Sequence, residues 1–122
     1  PGAPNQYLHW ARVRAQGKTG FAALCFLRPA GGVRIYDNSR SYKDGYPAIL
    51  LLRPDKRGYL LINMCEGFDR REGTWGRKPG QIVFKDSAGK EFLLQEAPDD
   101  TLKYMSQSAG CCPNEGDVFA GW

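Results

Sequence analysis

The sequence predicts a mainly β, single-domain fold: a β-sandwich or small β-barrel of about seven strands with one short C-terminal helix. Three observations carry this. The main apolar runs, Phe21–Leu27, Ala48–Leu52 and Tyr59–Met64, have strand length rather than helix length. Gly and Pro, 15 and 8 of 122 residues, punctuate the chain at short intervals. The central runs do not alternate apolar with polar, so both faces of those strands are expected to be covered.

Residues 1–6 read as an N-terminal arm and 7–122 as one β-rich domain; the opening Pro-Gly-Ala-Pro suits a processed or trimmed chain. Tyr7–Gln16 fits either period 3.6 or period 2. A strand is preferred, because Gln16–Gly20 then turns the chain into the strand Phe21–Leu27. Pro29–Gly32 breaks that strand and Val33–Tyr36 begins another. Asp37–Tyr46 is a long polar loop.

The stretch around which the rest is arranged is the hairpin Ala48–Leu52 and Tyr59–Met64. Its connector, Arg53–Gly58, has reversal chemistry: Pro54 presets φ, Asp55 can bond its own backbone, and Gly58 can take a positive φ. Glu66–Gly80 reads as a second long loop. Gln81–Lys85 and Glu91–Gln95 form another hairpin around Asp86–Lys90. Pro98–Thr101 reads as a helix start with Asp99 and Asp100 as cap and first turn, ending before Gly110. Val118–Trp122 is a last apolar piece.

The net charge of +4 is unevenly distributed. Residues 1–57 hold ten Lys/Arg against Asp37, Asp44 and Asp55, a balance of +7; residues 58–122 hold seven against ten, a balance of −3. A basic half favours an anionic partner, and no run reaches the roughly 18–20 apolar residues of a membrane span.

Cys25 and Cys65 sit in or at the end of apolar runs, as buried thiols do. The adjacent Cys111 and Cys112 could each reach one of them, tying the tail to the core in an oxidising compartment; four reduced thiols would suit the cytosol. The expected location is secreted or periplasmic, with the cytoplasm as the alternative.

His9 is the only histidine, so a nucleophile–base pair must use it, and Cys65 is its best partner. His9-Trp10-Ala11 with Asn63–Phe68 resembles the histidine box and Asn-Cys box of lecithin:retinol acyltransferase-like proteins. The resemblance implies a Cys–His hydrolase or acyltransferase. It departs from that pattern where Met64 separates Asn63 from Cys65 and where no second histidine can orient the first. No zinc-type Cys or His spacing and no phosphate-binding glycine motif occurs, so no metal or cofactor is expected. The carboxylate pairs Glu66/Asp69, Asp99/Asp100 and Glu115/Asp117 are expected in solvent.

The leading functional reading is a non-enzymatic binding module for a protein or anionic glycan. Its contact residues are Arg70, Arg71, Trp75, Arg77 and Lys78 in the second loop, joined by Arg40, Tyr42, Lys43 and Tyr46 if both loops share an end. Arginine beside exposed aromatics can grip anions bidentately and anchor protein partners. The alternative is a nucleic-acid-binding domain using Trp10, Arg12 and Arg14.

Overall fold

The computed structural model describes residues 10–23, 31–43 and 45–122. They form ten strands: β1 (Trp10–Ala15), β2 (Lys18–Ala23), β3 (Arg34–Asp37), β4 (Ile49–Leu52), β5 (Arg57–Asn63), β6 (Phe68–Lys78), β7 (Gln81–Asp86), β8 (Glu91–Ala97), β9 (Thr101–Tyr104) and β10 (Val118–Gly121). β1 and β2 pair as a hairpin; β3 to β10 close an antiparallel barrel in the order β10-β3-β4-β5-β6-β7-β8-β9. Of the two β architectures expected, the barrel is the one formed. Closure comes from the last apolar piece, whose residues pair with β9 through Val118–Ala120 and with β3 through Ala120 and Gly121.

The central hairpin stands as expected, with Leu50 opposite Leu60 and Ile49 opposite Leu61. Its turn is closed by the Lys56 N–H donating to the Arg53 carbonyl at 3.1 Å, and Asp55 Oδ1 accepts the Arg57 N–H at 3.0 Å. The left-handed residue is Lys56 (φ 70°), not Gly58 as the turn chemistry predicted. Gly58 is needed for a different reason: a Cβ there would run into the Leu51 carbonyl.

Strand alternation sends Tyr36, Leu50, Leu52, Leu60, Ile62, Ile82, Phe84, Phe92, Leu94, Leu102, Tyr104 and Phe119 inward, all essentially buried. Side chains fill the barrel. A second apolar layer lies on its outer face, where Ile35 and Ile49 are buried against Val33, Leu51, Leu61 and Trp122. This is why the Ile49–Leu52 run does not alternate.

The connection 105–117 folds back onto the barrel. Cys111 N–H donates to the Asn63 carbonyl at 2.7 Å, Cys112 bridges to Asn63, and a disulfide joins Cys65 to Cys111. Cys112 is a buried free thiol, held among Asn38 and Tyr46; Cys25 lies outside the described residues. Asn38, fully buried, ties this end together: its Oδ1 accepts the Ala48 N–H at 2.7 Å and its Nδ2 donates to Asp117 at 3.0 Å.

Two expected elements are corrected. The C-terminal helix is absent. Asp99 and Asp100 take left-handed φ (62° and 55°) and turn β8 into β9. Leu102 and Tyr104 then face inward at strand spacing with Lys103 exposed between them. Asp is a turn former as well as a cap, and the period of two decides. The second long loop is mostly strand β6, eleven residues long, paired to β5 through Phe68–Thr74 and to β7 through Gly73–Lys78. Its inward positions are Asp69, Arg71, Gly73 and Trp75, opposite Ile62, Leu60, Gly58 and Phe84, so it carries no apolar alternation to read.

Candidate functional site

Consecutive connections alternate between the barrel's two ends. The 38–48 loop, the 64–67 and 87–90 turns and the 105–117 connection share one end; the turns at 53–56, 79–80 and 98–100 share the other. The residues expected to act together are therefore dispersed. Tyr46 meets Phe68, with ring centroids 5.8 Å apart, at the first end. Arg40 and Lys43 are exposed at that end, and Tyr42 packs against the core. Arg77 and Lys78 end β6 at the opposite one, and Arg77 lies 3.8 Å from Glu96.

Arg71 and Trp75 have structural work. Arg71 points inward, 2.6 Å from Asp69 and 2.9 Å from Asp86. Trp75 is half-buried against the core, donates its indole N–H to the Arg53 carbonyl at 2.8 Å, and carries the Lys56 ammonium 4.1 Å above its ring. The carboxylates are engaged too: Asp100 accepts from Tyr36, and Asp117 from Asn38 and Asn114.

Of the expected residues, Arg70 enters a formed cleft. This cleft, about 630 Å³, lies on the outer face over β4, β5 and β6 and is lined by Val33, Leu51, Arg53, Arg57, Gly58, Tyr59, Arg70, Glu72 and Gly73. The pairing explains the arrangement. Leu51 and Tyr59 are opposite each other, with Glu72 next across the sheet. Arg53 and Arg57 flank them toward the turn, and Arg70, opposite Leu61, flanks them on the other side. The Arg70 guanidinium stacks 4.2 Å from the Tyr59 ring centre. Burial pushes the Tyr59 phenol above its ordinary value, and the Arg70 charge partly opposes that rise.

Three arginines and one glutamate thus line a cleft with a half-buried apolar floor. The two ion pairs present, Arg53–Asp55 and Arg70–Glu72, are both 3.5 Å long between exposed side chains, each worth on the order of 0–1 kcal/mol. Neither holds its arginine against a better anion. Arg57 has no carboxylate partner among the described residues. Arg53 and Arg57 were read in the sequence only as turn punctuation. The signal that could have found them is their position as like charges closing one hairpin turn.

As half of a disulfide, Cys65 offers no thiolate, and His9 lies outside the described residues. Burial raises the Cys112 thiol above its ordinary value, which makes it a poor nucleophile. Among the described residues no group of His, Cys, Asp and Glu is placed to hold a metal, and no helix is long and apolar enough to cross a membrane. No protein-family model matches the chain, and neither a curated protein nor a solved structure does.

Proposed function

We propose that this protein is a non-enzymatic β-barrel binding module that engages an anionic partner, a protein or an anionic glycan, through the outer cleft on β4–β6. One observation carries the reading: Arg53, Arg57 and Arg70 line one open cleft with Tyr59 and Leu51, while the barrel interior is filled by its own side chains. A filled barrel leaves recognition to the outside, and a cleft combining arginine with an aromatic ring is suited to anionic partners. The Cys65–Cys111 disulfide favours an oxidising compartment, consistent with a secreted or periplasmic role. The test is a titration with a heparin-derived hexasaccharide and with an oligoglutamate peptide at two salt concentrations. The wild type should bind at least one, and the Arg53→Gln/Arg57→Gln/Arg70→Gln variant should lose about tenfold or more. Equal affinity of the two proteins would overturn the reading.

A second reading, a nucleic-acid-binding face, draws on the β1–β2 hairpin. Arg12 pairs with Phe21 and Arg14 with Thr19, so the four share one face, and Phe21 is 72% exposed. An exposed ring on the same face as two arginines is a stacking platform for unpaired bases. Affinity for single-stranded oligonucleotide that falls steeply with salt and is lost in Phe21→Ala supports it; undetectable or salt-insensitive binding removes it.

A further inference from the structure

We infer that the outer cleft takes a sulfate or phosphate monoester carried on an aromatic ring; this rests on the anionic-partner reading above. Arg53 and Arg57 close the β4–β5 turn, with the Arg53 N–H donating to the Arg57 carbonyl at 2.8 Å, and both line the cleft. Like charges placed opposite one another across a hairpin repel and destabilise it. Among the described residues Arg53 has relief from Asp55 at 3.5 Å, and Arg57 has no ion pair. A tetrahedral oxyanion held by the two guanidinium forks removes that repulsion and satisfies several donors at once, which a single carboxylate does less completely.

The rest of the cleft selects what carries the anion. Its floor is Val33, Leu51 and the side of Tyr59, with Gly58 and Gly73 adding no side chain. A flat ring lying on this floor between Arg57 and Arg70 buries apolar surface and meets a guanidinium face. A sugar would find there one carboxylate, Glu72, for its hydroxyls. The volume, about 630 Å³, exceeds what a bare oxyanion needs and falls in the range of roughly 300–1,000 Å³ used for organic ligands.

The experiment is calorimetric titration with N-acetyl-O-sulfotyrosine amide, N-acetyl-O-phosphotyrosine amide, N-acetyltyrosine amide, inorganic sulfate and a heparin-derived hexasaccharide. At least one aryl ester should bind about tenfold or more tightly than both inorganic sulfate and the unesterified tyrosine; which ester is tighter identifies the source. Arg53→Gln and Arg57→Gln should each weaken that binding about tenfold. Both variants should melt at the same or a higher temperature than the wild type, since each removes one of two repelling charges, so lost binding cannot be lost folding. Aryl esters binding no better than inorganic sulfate, or equally well in both variants, would overturn the inference. Hexasaccharide binding through these arginines with the aryl esters silent overturns it while leaving the anionic-partner reading intact. No binding by any of these anions or by the oligoglutamate peptide overturns both.

Discussion

Arg71 Nη1 lies 2.9 Å from Asp86 Oδ2, joining the inward face of β6 to the end of β7. Asp86 is only 2% exposed at its side chain, and its other oxygen accepts the backbone N–H groups of Ala88 and Lys90 at 3.0 and 2.9 Å. One carboxylate thus closes the β7–β8 turn and holds the strand beside it. The hydrogen bonds that Arg71 donates to Asp69 and Asp86 in turn raise its guanidinium above its ordinary value.

Arg71 and its neighbour Arg70 should therefore behave oppositely. Arg71→Met leaves a buried carboxylate without its cation and should destabilise the fold by about 1–3 kcal/mol in urea unfolding. Arg70→Met, on the outer face, should stay within about 0.5 kcal/mol of wild type. Equal losses would mean that the ion pair is not what holds β6.

The same carboxylate sets an acid limit. Burial alone would raise Asp86, but the N–H of Lys90, the Arg71 guanidinium and the N–H of Ala88 outweigh it, so its folded value falls below the ordinary 3.8. A depressed carboxyl contributes stability that is fully present above its unfolded value and is lost as pH falls through the folded one. Stability should hold from neutral down to about pH 5 and then decline, with Asp86→Asn showing a shallower decline below pH 4. Urea midpoints measured from pH 7 to pH 2 check this; parallel curves for the two proteins would contradict it.

The strands β5 to β7 also pass close to one another at Gly73. A Cβ there would collide with the Lys85 carbonyl and lie 2.8 Å from the Asp86 Cα, whereas a Cβ at Gly76 meets nothing within 4 Å. Gly73→Ala should cost about 2 kcal/mol or more, because backbone rather than a flexible side-chain tip must yield. Gly76→Ala should be neutral or stabilising by up to about 1 kcal/mol through the entropy of the unfolded chain. Thermal melts of the pair decide it.

These cases show which parts of the fold were legible in the sequence. The β4–β5 and β7–β8 hairpins were readable because apolar runs flank turn residues; the unbroken Ala48–Leu52 run pointed to apolar cover on both faces, which Ile49 and Leu50 have, whereas Met64 at the end of the second run is exposed. Strand β6 was not. Its inward positions hold Asp69, Arg71 and Gly73, where an ion triad and a bare backbone replace the apolar side chains that period-two reading relies on. The Asp99-Asp100 pair serves a cap and a left-handed turn equally well, and only the inward alternation of Leu102 and Tyr104 separates them. For the candidate site, the composition of the 66–80 stretch led to Arg70. Arg53 and Arg57 were hidden inside a turn whose Pro and Asp explained it already.

The thiols give a sharp chemical test. Cys112 is buried and its thiol raised, while Cys65 and Cys111 are bonded across 46 residues. Native protein should leave Cys112 unalkylated by iodoacetamide; unfolding without reduction should expose it while Cys65 and Cys111 stay protected. Reducing the disulfide releases a loop whose closure contributes up to about 4 kcal/mol in the chain-entropy description. Peptide mapping locates each alkylated position, and a Cys112 that reacts in the folded state would contradict its burial.

Trp75 should act on the cleft without touching what binds there. Its indole N–H holds the Arg53 carbonyl and its ring carries Lys56, so it fixes the turn from which Arg53 and Arg57 project. Trp75→Phe keeps most of the apolar contact but removes the hydrogen bond, leaving the Arg53 carbonyl to water; the cost should be about 0.5–1.5 kcal/mol of stability. If the turn positions the two arginines, anion affinity should also fall, by less than in Arg53→Gln. Its dependence on salt should stay that of the wild type, because no charge has been removed. Arg53→Gln should instead flatten the salt dependence. A Trp75→Phe protein with weakened binding and a flattened salt slope would place the indole in direct contact with the anion's site, and one with unchanged affinity would show that the turn holds without it.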